Sequence, residues 1–142
     1  MALITISGFP ASGKSKRAHQ IRDHLERYLA DISYAGPELK VVILSDDVLN
    51  IDRNAYNGGF RQDLSRLRRT LIHLIDSRSE KPARGALFTA MQRQMGRDTI
   101  LIVDAMNYIK GFRYQMYCAA RELKLRVCTV RLRVFPFLQN KL

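Results

Sequence analysis

The chain has 142 residues, the size of one domain, and its 46% hydrophobic and 26% charged residues exclude a disordered polypeptide. Its longest apolar runs, such as ILIV at 100–103, are far too short to span a bilayer, and its first residues lack a basic leader, so we expect a soluble intracellular protein. The 24 lysines and arginines against 13 acidic residues give a net charge of +11, which favours a polyanionic partner with RNA as the leading candidate; a solvated basic surface, or a missing acidic half of a parent chain, is the alternative.

The N-terminal part of the chain is predicted to form a strand, a loop, a helix and a second strand. LITIS at 3–7 is a short β-rich run followed by glycine, which is typical of a buried strand. Apolar residues at helical spacing predict a helix from Lys14 to about Ala30. After the break AGPE at 35–38, KVVILS at 40–45 predicts the second strand.

The C-terminal part continues the alternation. DTILIVD at 98–104 has no polar alternation and predicts a third strand, buried on both faces. PARGALFTAMQRQM at 82–95 predicts a helix with Pro82 in its first turn. FRYQMYCAARELK at 112–124 predicts another helix, and LRVCTVRLRV at 125–134 predicts the last strand.

Strands that alternate with helices predict an α/β fold, in which a parallel sheet has helices on both faces. Four strands are fewer than the five or more of most doubly wound nucleotide-binding sheets, so we expect a C-terminally truncated domain. Residues 50–80 fit the pattern less well, because turn residues come first and a basic amphipathic helix follows, which faces RNA, a partner or water. Cys118 and Cys128 have no metal-binding or redox spacing and are interpreted as reduced packing residues.

The run GFPASGKS, from Gly8 to Ser15, matches the phosphate-loop pattern G-x-x-x-x-G-K-[ST] between a predicted strand and a predicted helix. In such a loop, backbone N–H groups and the helix N-terminus surround an anion, and the glycines allow close approach. Lys14 is predicted to reach the β- and γ-phosphates, and the Ser15 hydroxyl to bind Mg²⁺. The residues that we expect to contact the nucleotide are Gly8, Phe9, Pro10, Ala11, Ser12, Gly13, Lys14, Ser15 and Lys16.

Carboxylates follow two of the predicted strands, where a phosphate loop needs a metal organiser. Asp104 ends the run ILIVD, as a Walker B carboxylate does, and is predicted to bind the metal. Asp46 and Asp47 follow KVVILS; Asp46 lies nearer the strand end and is predicted to bind Mg²⁺ or to orient the nucleophile, while a helix N-cap is the alternative for one of the pair. The predicted catalytic residues are therefore Lys14, Asp46 and Asp104, and the predicted metal ligands are Ser15, Asp46 and Asp104.

Polar residues after Asp104 are candidates for contacts with phosphate or a partner. Arg113 is one of them, and Asn107 either contributes such a contact or only shapes the turn. Arg84 and Arg121 are further candidates for stabilising charge, and the sequence does not choose among the arginines.

Aromatic residues are concentrated in the same region. They have two interpretations, as platforms on which bases stack or as core residues of a helix, and the core is the commoner role. The residues are Tyr108, Phe112, Tyr114 and Tyr117.

Four segments together resemble one family: GFPASGKSKRA, VVILSDD, SEKPARGAL and DTILIVDAMNYIKGFRYQMYCAAR. They are similar to the killer-toxin-insensitivity ATPases that associate with Elongator, which are relatives of phosphoseryl-tRNA kinase. The resemblance implies a P-loop NTPase of the nucleotide-kinase-like type that binds and hydrolyses ATP with Mg²⁺. It further implies an accessory role in Elongator-dependent modification of tRNA wobble uridines, with Elongator and tRNA as partners, and a cytoplasmic and nuclear location.

The chain departs from that family in two places. Residues 57–75 are interpreted as an insertion, and the family's lid and C-terminal tRNA-binding domain are expected to be absent. Two other functions use the same motifs. One is a kinase that transfers the γ-phosphate to a hydroxyl of an aminoacyl-tRNA or small alcohol, and the other is a basic RNA- or protein-docking module with a structural nucleotide.

Overall fold

The structure, a computed structural model, describes residues 1–8, 11–46, 49, 68–105 and 107–132, with side chains from residue 81 onward in the long second helix. Its elements, in chain order, are β1 (Ala2–Gly8), α1 (Lys14–Leu29), β2 (Lys40–Ser45), α2 (Arg68–Gln94), β3 (Thr99–Asp104), α3 (Lys110–Glu122) and β4 (Arg126–Leu132).

The four strands form one parallel sheet in the order β2-β3-β1-β4. The two central strands, β3 and β1, are those with the most continuous apolar runs, because both of their faces are covered. Ile6 of β1 and Ser45 of β2 lie opposite Asp104 of β3, and Gly8 lies opposite Leu132 of β4. All four strands therefore end at one edge of the sheet.

Apolar side chains bury both faces of this sheet. On one face, Leu87 of α2 and Met116 of α3 pack with Leu3 and Leu101 of the central strands. On the other face, Ala18 of α1 packs against Ile6 and Ile102. The predicted α/β fold, with a parallel sheet between helical layers, is confirmed.

The prediction that Pro82 lies in the first turn of a helix is wrong. α2 begins at Arg68, so Pro82 lies inside it. Proline lacks an N–H group and normally favours a helix start, but tertiary packing overrides that local preference here. Ala83, Leu87 and Met91 are buried at helical spacing after the proline, and this packing holds the helix on the sheet.

The structure bears on only part of the basic segment at 50–80. α2 includes its last residues from Arg68, and residues 50–67 lie outside the described residues, as do the α2 side chains before residue 81. Neither the face that this basic helix presents nor the predicted insertion at 57–75 is tested, and both stay predictions.

Both cysteines are free, as expected. Cys118 is half-buried, but Cys128 is exposed on β4, so its interpretation as a packing residue is wrong. β4 is an edge strand, and its exposed residues leave that part of the sheet open to solvent. In the part of the chain that the structure describes, no helix is long and apolar enough to cross a membrane.

Candidate functional site

The loop between β1 and α1 has a backbone that only small residues can form. A Cβ on Gly8 would lie 2.8 Å from Ser12 Oγ and 3.0 Å from the Leu132 carbonyl oxygen, so any larger residue would force these neighbours to shift. Gly13 has a φ of 82° and Ala11 a φ of 57°, both in the left-handed region. Glycine adopts this region at no steric cost, whereas an alanine there is strained. The sequence thus forms a tight turn that leads directly into the helix.

The N-terminus of α1 has the properties of an anion site. Gly13 is the N-cap residue and has no side chain to bond the first amides, and the first turn has no acidic residue. The helix dipole and these amides therefore favour a negative ligand. Within the described part of the chain, Ser12 Oγ is buried and has no hydrogen-bond partner.

The side chains that follow Gly13 stand at the mouth of this loop. Lys14 Nζ donates to the Gly8 carbonyl oxygen at 3.4 Å, so the ammonium group lies across the loop. Ser15 and Lys16 are exposed in the first turn of α1. Phe9 and Pro10, which were predicted to contact the nucleotide, lie outside the described residues.

Two predicted carboxylates lie at the same edge of the sheet as the loop. Asp104, the last residue of β3, is only 8% exposed and stands in register between Ile6 of β1 and Ser45 of β2. Asp46 follows Ser45 directly and is half-buried. Because β3 lies between the other two strands, the topology brings Asp46 and Asp104 to the side of the loop that faces β2. Asp47 lies outside the described residues.

These donors fit a magnesium ion better than a metal that needs a complete protein cage. Among the described residues, no cluster of three or more His, Cys, Asp or Glu side chains is close enough to hold a metal. Mg²⁺ is usually held by one or two carboxylates together with substrate phosphates and water. Ser15, Asp46 and Asp104 are the residues that would hold it here.

Asn107 is a structural residue of the site. It is 1% exposed, and its Nδ2 donates to the carbonyl oxygens of Ile6 at 2.9 Å and Val103 at 3.2 Å. Its own carbonyl oxygen accepts from Ser7 Oγ at 3.2 Å. Asn107 therefore shapes the turn, which is the second of its two predicted roles. Its hydrogen bonds tie the end of β1 to the loop after β3. The contribution of Ser7 escaped the sequence analysis, since its partner is 100 residues away.

The structure places the candidate arginines in three different environments. Arg113 Nη1 donates to the carbonyl oxygens of Asn107 at 2.8 Å and Tyr108 at 2.7 Å, so it braces the same loop. Arg84 is half-buried on α2, in the groove beside α3. Arg121 lies in the last turn of α3, away from the carboxyl edge of the sheet where α3 begins, and the structure does not bring it to the phosphate loop. Phosphate contacts by Arg84 and Arg113 stay predictions.

The aromatic residues divide between the two interpretations. Phe112 is buried in the core, whereas Tyr108, Tyr114 and Tyr117 are exposed. The core interpretation is therefore correct for Phe112 and wrong for the three tyrosines. Periodicity did not reveal this, because the buried face of α3 is already complete with Phe112, Met116, Ala119 and Ala120.

Known proteins share both the sequence and this fold. A family model described as chromatin associated protein KTI12 matches residues 1–137. Protein kti12 of Schizosaccharomyces pombe is 34% identical over 94% of this chain and 41% of its own length. The KTI12 homolog of Homo sapiens is 35% identical over 92% of this chain and 30% of its own length. The chain thus spans less than half the length of these curated relatives.

Solved structures agree with the sequence comparison. The crystal structure of Chaetomium thermophilum Kti12 in complex with ADP-AlF3 is 32% identical, with a TM-score of 0.72, over 95% of this chain and 62% of that one. The APS kinase CysC of Mycobacterium tuberculosis is 14% identical, with a TM-score of 0.60, over 92% of this chain and 74% of that one, and shares the fold alone. The chain therefore belongs to the KTI12 family and has its nucleotide-binding P-loop fold.

Proposed function

We propose that this chain binds ATP with Mg²⁺ and hydrolyses it. The observation that carries the proposal is the loop from Gly8 to Ser15, which opens onto an uncapped helix N-terminus beside the buried carboxylate of Asp104. The similar Kti12 of Chaetomium thermophilum was crystallised in complex with ADP-AlF3, which supports a nucleotide in the same loop here.

In the proposed hydrolysis, the residues of the loop and those at the strand ends have different roles. The oxygen of a water molecule bonds to the γ-phosphorus while the bond from that phosphorus to the ADP oxygen breaks. The water releases a proton to solvent, and the products are ADP and phosphate. Lys14 and the first amides of α1 neutralise the phosphate charge, which is the main requirement of phosphoryl transfer. Ser15, Asp46 and Asp104 would hold the metal, and Asp46 would also orient the attacking water. Mg²⁺, when bound, neutralises charge on the phosphate oxygens.

The wider role that we propose is an accessory factor of Elongator in the modification of tRNA wobble uridines, in cytoplasm and nucleus. Membership of the KTI12 family supports it, and the net charge of +11 is suited to a tRNA partner. The chain spans 41% of the length of the S. pombe relative. We therefore propose for this chain only the nucleotide-dependent part of that role.

The first experiment compares Lys14→Ala with Lys40→Ala, a matched exposed lysine at the opposite edge of the sheet. We expect Lys14→Ala to lose ADP binding and ATP turnover, because the loop loses its cation, and Lys40→Ala to retain both. Asp104→Asn should bind nucleotide with a weakened Mg²⁺ dependence. Wild-type turnover in Lys14→Ala would refute the site assignment.

A second assay separates hydrolysis from transfer, since the fold is shared with an APS kinase. ATP labelled at the γ-phosphate is incubated with the chain in the presence of tRNA, and free phosphate is separated from labelled RNA. We expect the label in free phosphate. Label on the tRNA would establish a kinase instead, and RNA binding that needs neither nucleotide nor Lys14, without turnover, would establish a docking module.

A further inference from the structure

One face of α3 carries a basic residue at each end and two tyrosines between them. Lys110, Tyr114, Tyr117 and Arg121 recur at helical spacing and are all exposed; we call them the α3 stripe. Tyr114 is 65% exposed and Tyr117 is 38% exposed. Tyrosine combines an apolar ring with a polar hydroxyl and is enriched at binding surfaces.

The tyrosines of the α3 stripe are already arranged as a platform. Their ring centroids are 6.2 Å apart, and their planes differ by 26°, so the two rings are stacked. The Arg121 guanidinium lies 5.7 Å from the centroid of Tyr117, and its Nη1 donates to the Tyr117 hydroxyl at 3.2 Å. A hydrogen bond with Cys118 raises the pKa of Tyr114 above its ordinary value.

A groove between α2 and α3 adjoins the stripe. It has a volume of about 700 Å³, and Tyr114 forms part of its wall. Lys81 and Arg84 of α2 line it together with Phe88 and Phe112, and Glu122 is the acidic residue among its described lining. The groove thus combines aromatic side chains with two basic residues against one acidic residue in its described lining, and this charge balance complements the phosphates of a nucleic acid.

We propose that the α3 stripe and the adjoining groove bind an unpaired stretch of nucleic acid. Bases stack on Tyr114 and Tyr117, and the backbone phosphates contact Lys110 and Arg121. From Lys110 to Arg121 the helix rises by about 16 Å. This length matches about three nucleotides of an extended single strand. This site is separate from the phosphate loop and does not depend on ATP hydrolysis.

The test measures the binding of a short labelled oligouridylate by fluorescence anisotropy. We expect the double variant Tyr114→Ala with Tyr117→Ala to bind about tenfold more weakly or worse, because each stacked base contributes substantially to affinity. Tyr28→Ala is the matched control: this tyrosine is 60% exposed on α1, on the opposite face of the sheet, and its removal should leave affinity unchanged.

Conservative variants distinguish stacking from a merely structural role. Tyr114→Phe with Tyr117→Phe keeps both rings and should bind within about twofold of the wild type. Arg121→Gln should lower the salt dependence of binding by about 0.7 in the log–log slope, the value for one phosphate contact on a single strand. The chain has no tryptophan and six tyrosines, so quenching of tyrosine fluorescence that is seen in the wild type and lost in the alanine double variant reports stacking on Tyr114 and Tyr117.

Measuring ADP binding and oligouridylate binding in the same variants separates this inference from the proposed ATPase activity. The alanine double variant should retain ADP binding, which also shows that it is folded, and Lys14→Ala should retain oligouridylate binding. Comparison with oligothymidylate identifies RNA or DNA as the ligand. Wild-type affinity in the alanine double variant would overturn the inference and leave the surface to a protein partner, and tighter binding to a duplex than to either single strand would overturn it in favour of a double-stranded ligand.

Discussion

The phosphate loop depends on two glycines for different reasons. Gly13 needs its left-handed φ of 82°, although a Cβ there would meet open space. Gly8 is required by its surroundings, because a side chain would collide with Ser12 Oγ and with the backbone of Leu132. A flexible side chain can move away from such a contact, but the backbone of a paired strand cannot.

We expect Gly8→Ala to lower the free energy of unfolding by about 1–3 kcal/mol, because the new methyl group overpacks the junction of β1 and β4. ADP binding should weaken with it, since the loop begins at this residue. Gly85→Ala is the control, because a Cβ at that exposed helical position meets nothing within 4 Å. That change should stabilise the chain by about 0.5–1 kcal/mol. Urea denaturation measures both; equal stability of the two variants would contradict the packing argument.

Among the elements, hydrophobic runs predicted the strands well. KVVILS forms β2 over Lys40–Ser45, and the unalternating DTILIVD contains the central strand β3. α2 was predicted poorly, because Pro82 is a strong local signal for a helix start. Its effect is outweighed by packing of Leu87 and Met91 on the sheet, which no local rule contains.

Pro82→Ala tests whether α2 is one continuous helix. Pro82 is exposed, so the change loses little packing, and alanine restores an N–H group for the carbonyl four residues earlier. We expect the free energy of unfolding to rise by about 1–3 kcal/mol, with more helical signal in circular dichroism. Gln92→Ala, at another exposed position of α2, should change stability by less than about 0.5 kcal/mol. A loss of stability in Pro82→Ala would mean that a separate helix starts at the proline.

At the scale of the whole molecule, the dominant property is an uncompensated positive charge. On the surface of α1, salt bridges join Arg22 to Asp23 and Glu26, and such exposed pairs offset little of this charge. The sequence predicted a polyanionic partner from this charge, but not the surface that we propose for it. That surface depends on which tyrosines remain outside the core, and only the packing of α2 and α3 decides this.

We expect the melting temperature to rise when NaCl is increased from about 0.02 to 0.3 M, because salt screens the mutual repulsion of the positive charges. Arg97→Gln, which removes one exposed charge in the turn before β3, should melt slightly higher at low salt and show a smaller salt effect. Differential scanning calorimetry measures both quantities. A melting temperature that falls with salt would show that attractive pairs outweigh the repulsion.

The pairing of Gly8 with Leu132 has a mechanical consequence. The last described residue of β4 lies directly against the first residue of the phosphate loop, with its carbonyl oxygen 3.0 Å from where a Cβ would stand. A force applied to the chain at Leu132 therefore acts directly on Gly8, the residue with which the phosphate loop begins. Gly8 and Leu132 form the last residue pair between β1 and β4, so a displacement of the chain at Leu132 would reach the phosphate loop at its first residue.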